Sequence, residues 1–161
     1  MLVCCLFGLS FNNNLLLSFS HTSISQMSKL YTFIWKEVAT SAKLAEEFHS
    51  GSFIFVPYTS GSRHEDVVSG MFLSPREVYW SDSTGAMDQM SKMHPQHSLK
   101  DVALGPLNKT LCNIYPGLHN FFVNACGVHE NPSLSAYLQI LLQLSSVALP
   151  SQAAKAVSMI K

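Results

Sequence analysis

From Asn131 to Ala154 the chain carries no Asp, Glu, Lys or Arg, while Leu134, Tyr137, Leu138, Leu141, Leu144 and Ala148 recur at three- and four-residue steps. A helix with so little charge has no strongly solvated face, so it is expected to pack in a core or an interface. Gln139, Gln143, Ser145 and Ser146 argue against a membrane span, and Pro150 ends the run. The same scarcity extends to the whole sequence. Of 161 residues, 12% are charged and 47% hydrophobic, against a usual charged share of about one quarter in soluble proteins. Such a chain is long enough for one domain, but its exterior is short of charge and is expected to be covered in part. The cover would come from neighbouring domains of a parent polypeptide or from protein partners, with self-association when the chain is isolated.

Ten basic and ten acidic residues cancel, which removes the electrostatic footprint of a nucleic-acid binder. Arg63 and Arg76 are the only arginines, and the lysines are scattered, so no polybasic membrane patch forms either. Cys4 and Cys5 are adjacent near the start, leaving Cys112 and Cys126 in the folded part, too few for a disulfide framework.

Residues 1–27 contain no charged side chain and read as two short apolar runs around Asn12, Asn13 and Asn14. They lack the basic start of a secretory signal and the roughly 20 apolar residues of a membrane span. The expectation is an arbitrary apolar start, or a weak signal-like segment, outside a single domain of residues 28–161.

Within that domain the fold class reads as α+β: a short antiparallel hairpin or three-stranded sheet flanked by several amphipathic helices. The spacing of Leu30, Phe33, Ile34, Val38, Ala45 and Phe48 predicts one helix from Lys29 to His49, capped by Ser28 and released at Gly51 into a left-handed turn. Ser52 to Pro57 and Val67 to Leu73 read as a hairpin, with a bulge at Gly70. Ser74-Pro75-Arg76-Glu77 reads as one capped turn leading into a third strand, Val78-Tyr79-Trp80. Asp82-Ser83-Thr84-Gly85 should cap a helix from Ala86 to Met93. His94 to Pro106 reads as loop. Leu107 to Val123 reads as two short helices split at Pro116-Gly117, the second ended by Gly127. A last helix is expected from Ser151.

No catalytic residue is assigned and no cofactor is expected. Cys112, His119, Cys126 and His129 offer thiolates and imidazoles of the kind that hold zinc, but the spacing is poor for two close ligand pairs. Packed thiols and surface histidines are the plainer reading, with a small zinc-supported module as the alternative. His94 and His97 have no cysteine or carboxylate clustered with them. Neither a nucleophile elbow nor a phosphate-cradling glycine run is present. The candidate interaction residues are Arg63, His64, Glu65 and Asp66, in a mixed-charge hairpin loop, together with Arg76; the bland version of that loop is a solvated turn. Asn108-Lys109-Thr110 matches a glycosylation acceptor, which would matter only in a secreted chain.

Several separated blocks resemble the plant NO VEIN-like family. They are Phe53-Ile54-Phe55-Val56-Pro57, Arg63-His64-Glu65-Asp66-Val67-Val68, the run from Phe72 through Tyr79-Trp80 to Gly85, the run from Pro106 through Tyr115-Pro116 to Leu118, Phe121-Phe122-Val123, Cys126-Gly127-Val128, and Tyr137 to Leu144. The resemblance covers roughly Ser28 to Val157, with a looser likeness to sacsin-like proteins. It implies a very large, plant-specific nuclear protein, with cytoplasmic residence as the alternative. It also implies an Hsp90-like, histidine-kinase-like ATPase domain and a role in vascular patterning and auxin-dependent development. The magnesium-holding Asn helix, the Asp-x-Gly-x-Gly turn and the glycine-rich lid of such an ATPase are absent here, so the chain is expected to lie downstream of that domain. A further alternative is an accessory role, with Arg63 or Arg76 brought to the nucleotide of that ATPase.

Overall fold

The computed structural model describes residues 20–58, 67–93 and 105–147. In chain order the elements are β1 (Ser20–Ser23), α1 (Ile24–Val38), α2 (Ala42–Ser50), β2 (Ile54–Pro57), β3 (Val67–Leu73), α3 (Ala86–Met93), a π-helix (Asn120–Ala125) and α4 (Leu134–Val147). The strands form one antiparallel sheet in the order β1-β3-β2, so the class is α+β. Three strands are present among the described residues, as expected, but the third is not the expected one. Ser20 to Ser23, assigned by sequence to the stretch outside the domain, pairs with Gly70 to Val67. Tyr79, assigned to the third strand, instead makes isolated bridges to Thr110 and His129. Four polar residues, Ser20-His21-Thr22-Ser23, carry no hydrophobic alternation, so β1 is specified by the unpaired edge of β3 and not by its own composition.

The predicted long helix is two helices. Thr40 hydroxyl returns to the Glu37 carbonyl at 2.9 Å and Thr40 N–H bonds the same oxygen at 3.1 Å, which stops α1. Ser41 then caps α2 by accepting from Leu44 N–H at 3.4 Å. On α1 the buried stripe is Ile24, Met27, Tyr31, Ile34 and Val38, which leaves Phe33 exposed. The break lets Phe48 turn back onto Phe53 and Phe121, with ring centroids 5.1 and 5.9 Å away. Gly51 is extended (φ −91°) and not left-handed.

Gly70 produces no bulge. The ladder runs through it without interruption, and it pairs with Ser20 on one side and Pro57 on the other. A Cβ there would run into the Phe55 ring and the Val56 carbonyl, so glycine is required by close approach. The outer edge of β2 is closed by side chains. Tyr31 hydroxyl donates to the Phe53 carbonyl and accepts from Phe55 N–H, both at 2.8 Å, and Tyr115 hydroxyl donates to the Phe55 carbonyl at 3.0 Å. Two tyrosines thus satisfy a strand edge that would otherwise invite a further strand. Their rings stack edge to face at 5.3 Å and join Phe121 and Phe122 in the main core.

The region from Leu107 to His119, predicted helical, is bridge and turn up to the π-helix. Its apolar side chains are buried as expected, but tight turns and bridges bury them. The wide turn of the π-helix, with Cys126 N–H on the Phe121 carbonyl at 3.0 Å, lets the consecutive Phe121 and Phe122 both enter the core. Gly127 ends it at φ +76°, where a Cβ would strike the His49 ring. A second, smaller core joins Tyr79, Met87, Met90 and Leu107 to Ala136, Tyr137, Ile140 and Leu144 of α4. Among the described residues no helix is long and apolar enough to cross a membrane. The predicted helix from Ser151 lies outside the described residues.

Candidate interaction face around Arg76 and helix α4

The Ser74 to Glu77 turn forms as predicted: Glu77 carboxylate accepts from Ser74 N–H at 2.8 Å and from its hydroxyl at 2.7 Å. This turn lifts Arg76 outward and delivers Tyr79 to Ser81 between two other segments. Tyr79 N–H bonds the Lys109 carbonyl, Leu111 N–H the Tyr79 carbonyl, Trp80 N–H the His129 carbonyl and Ser81 N–H the Glu130 carbonyl, each at 2.9 Å. Residues far apart in sequence, Arg76, Lys109 and His129, are thereby gathered along one side of α4.

Asp82 holds α4 against α3. Its carboxylate accepts from Met87 N–H and Thr84 N–H at 2.9 Å, and from the Thr84 and Tyr137 hydroxyls at 2.6 Å. Burial pushes the Asp82 carboxyl upward, but the accepted hydrogen bonds outweigh it and hold the group below the usual carboxylate range. The Tyr137 phenol is pushed up, by burial first and then by donating to Asp82.

Beside this clamp a cleft of about 190 Å³ is lined by Arg76, Glu77, Tyr79, Lys109 and Gln139, with Met87, Ala136 and Ile140 as its apolar floor. An adjoining hollow of about 290 Å³ shares Arg76, Tyr79 and Gln139 and extends to His129, Asn131 and Ser133. Lys109 is half-buried; burial pulls its ammonium down and the Glu77 charge partly offsets this. On the outward side of α4 stand Leu134, Leu138 and Leu142, 68%, 53% and 71% exposed.

Of the predicted interaction residues, Arg63, His64, Glu65 and Asp66 lie outside the described residues. Arg76 is exposed and lines both hollows. Lys109 and the leucine ridge were missed as site features. Lys109 sat within the apparent glycosylation acceptor, but Asn108 is half-buried and its carbonyl oxygen accepts from Thr110 N–H at 3.1 Å and from the Thr110 hydroxyl at 2.7 Å. That triplet is an Asx turn that aims the Lys109 carbonyl at Tyr79. The leucines were legible as part of the apolar stripe, though not as its exposed part.

The proposed zinc residues are dispersed into other roles. Cys126 is buried and its thiol is pushed up to about 12 by burial, while Cys112 is half-buried. His119 bonds Glu130 at 2.8 Å and packs edge-on against Trp80 at 4.9 Å. Among the described residues no three His, Cys, Asp or Glu side chains converge on one point.

Protein NO VEIN of Arabidopsis thaliana is 48% identical to this chain over 138 residues. The chain is NO VEIN-like. The match covers 84% of the chain but 5% of the length of that relative, so the present fold is a small part of what the plant protein contains. No family model and no solved structure matches the NO VEIN-like chain.

Proposed function

We propose that this chain is a non-catalytic structural and interaction segment of a large nuclear NO VEIN-like protein that serves vascular patterning and auxin-dependent development. The observation that carries the interaction role is α4, which buries Ala136, Tyr137, Ile140 and Leu144 on one side and exposes Leu134, Leu138 and Leu142 on another. An exposed leucine ridge on a charge-free helix is the kind of surface that another polypeptide covers. The 161-residue chain is expected to self-associate and to bind apolar dyes, and Leu138→Glu with Leu142→Glu should reduce both. A wild-type monomer that melts cooperatively and binds no dye would sink the reading. A tagged chain in plant cells should be enriched in nuclei, and strict exclusion from nuclei would remove that part.

A second reading is favoured by the exposure of Arg76 at the lip of a cleft. In it, the segment presents that guanidinium to the nucleotide of an Hsp90-like ATPase domain elsewhere in the parent protein. Arg76→Ala in the full-length protein would then slow ATP turnover, and unchanged turnover eliminates this role.

A further inference from the structure

Lys109 is half-buried, yet its amine holds no part of the fold together. The Asn108 turn and the Tyr79 N–H bond to the Lys109 carbonyl fix its backbone, and its side chain lines the cleft of about 190 Å³ beside α4. Met87, Ala136 and Ile140 form the apolar floor of that cleft. Among the described residues no group hydrogen-bonds or ion-pairs with the ammonium. An ammonium that has lost water and gained no partner shifts toward the neutral amine, the form that attacks a carbonyl carbon. Burial does pull the Lys109 ammonium down, and the charge of Glu77, which faces it, offsets this only in part. A desolvated lysine with a charged neighbour inside a cleft has the surroundings of a reactive amine.

The other groups lining the cleft suit one class of reactant. Tyr79 has a hydroxyl that bonds no group among the described residues, so it is available to donate to a carbonyl oxygen. Glu77 accepts from the Ser74 N–H and hydroxyl through Oε2 alone, which leaves Oε1 to take up a proton. Arg76 stands exposed at the lip, also without a partner among the described residues, where its planar guanidinium can pair with a carboxylate or a phosphate. The remaining lining side chains, from α3 and α4, include no titratable group.

We propose that Lys109 is a covalent modification site for small aldehydes that carry an anionic group, with Arg76 holding the anion while Lys109 Nζ forms an imine with the aldehyde carbon. The Nζ lone pair adds to the carbonyl carbon, one proton moves from nitrogen to oxygen, and water then leaves with the second nitrogen proton. Amine and aldehyde thus give imine and water, and no oxidant or reductant is needed. The site stands apart from the leucine ridge and does not rest on the interaction role proposed above.

The test treats the whole 161-residue chain with glyoxylate, glycolaldehyde phosphate or acetaldehyde in the presence of cyanoborohydride, which donates hydride to the imine and fixes it as a secondary amine. Peptide mass spectrometry then reads the labelling rate at each lysine. Lys109 should be labelled about tenfold faster than the exposed Lys36 and Lys43 by glyoxylate, by glycolaldehyde phosphate or by both, as expected of an activated amine beside a guanidinium that concentrates anions. The faster of the two anionic probes tells whether a carboxylate or a phosphate is preferred. In urea the advantage of Lys109 should vanish. Arg76→Gln, at an exposed position, should slow the anionic probes at Lys109 severalfold and leave acetaldehyde unchanged. Labelling of Lys109 no faster than that of Lys36 and Lys43, or an advantage that persists in urea, would overturn the site. Equal rates in wild type and Arg76→Gln with every probe would overturn the role of the anionic group.

Discussion

The two cores of this molecule are closed to different degrees. Around the sheet, six large aromatic side chains, Tyr31, Phe48, Phe55, Tyr115, Phe121 and Phe122, are fully buried, and the tyrosine hydroxyls satisfy the free edge of β2. Around α4 the core is built mostly from methionine, alanine and aliphatic side chains, with Tyr79 and Tyr137 at its margin, and the same helix that closes it turns three leucines to solvent. Apart from Phe33, the first region buries its large apolar side chains and pairs the polar groups of its free strand edge. The second retains exposed apolar surface on α4 and a cleft lined by Arg76, Glu77 and Lys109. Aromatic packing in the first region holds the fold, and the second leaves a row of leucines on its surface.

This contrast can be broken most forcefully at Phe121. Phe121→Ala empties the middle of the aromatic core and should cost about 3 to 5 kcal/mol, read as a lowered denaturant midpoint at unchanged slope. Loss below about 1 kcal/mol would mean that the first core is not the stabilising one. Tyr31→Phe keeps the ring but leaves Phe55 N–H and the Phe53 carbonyl without their partner, and should cost about 1 to 3 kcal/mol. The matched change in the second region, Tyr137→Phe, removes one of several donors to Asp82 and should cost about 1 to 2 kcal/mol.

The Asp82 clamp also has a pH signature. Because its folded pKa is depressed, its contribution is present above the ordinary carboxylate value of the unfolded chain and is lost as pH falls through the lower folded value. Wild-type melting temperature should therefore drop on acidification in that range, and the drop should be smaller in Tyr137→Phe. An equal drop in both would assign the acid sensitivity elsewhere. The smallest effect is expected on the ridge: Leu138→Ser should change stability by less than about 0.5 kcal/mol while reducing self-association. A large loss of stability there would show that the ridge belongs to the core.

Where local chemistry was enough, the fold was legible in the residues themselves. The Ser74 to Glu77 turn, the Asp82 cap of α3, the β2 and β3 strands, the end at Gly127 and the charge-free α4 all follow from side chains acting within a few positions. What was not legible depended on distant partners. Apolar spacing from Leu107 to Phe122 suggested helices because burial alone does not reveal how the backbone is paired, and here it bonds to Tyr79, Trp80 and its own turns. The candidate site was half legible: Arg76 stood out as one of two arginines, but Lys109 acquires meaning only beside Arg76, across a cleft formed when Tyr79 joins two remote segments.

The sequence by itself determined that the chain would be α+β, poor in surface charge and centred on aromatic and leucine-rich packing, because composition and spacing act through short-range propensity and hydrophobic burial. Only the tertiary structure decided that Ser20 to Ser23 completes the sheet, that two tyrosines close its other edge, and which leucines of α4 face outward. These depend on which backbone groups and faces are left unpaired once everything else has packed, a property of the assembled fold that no local run of residues encodes.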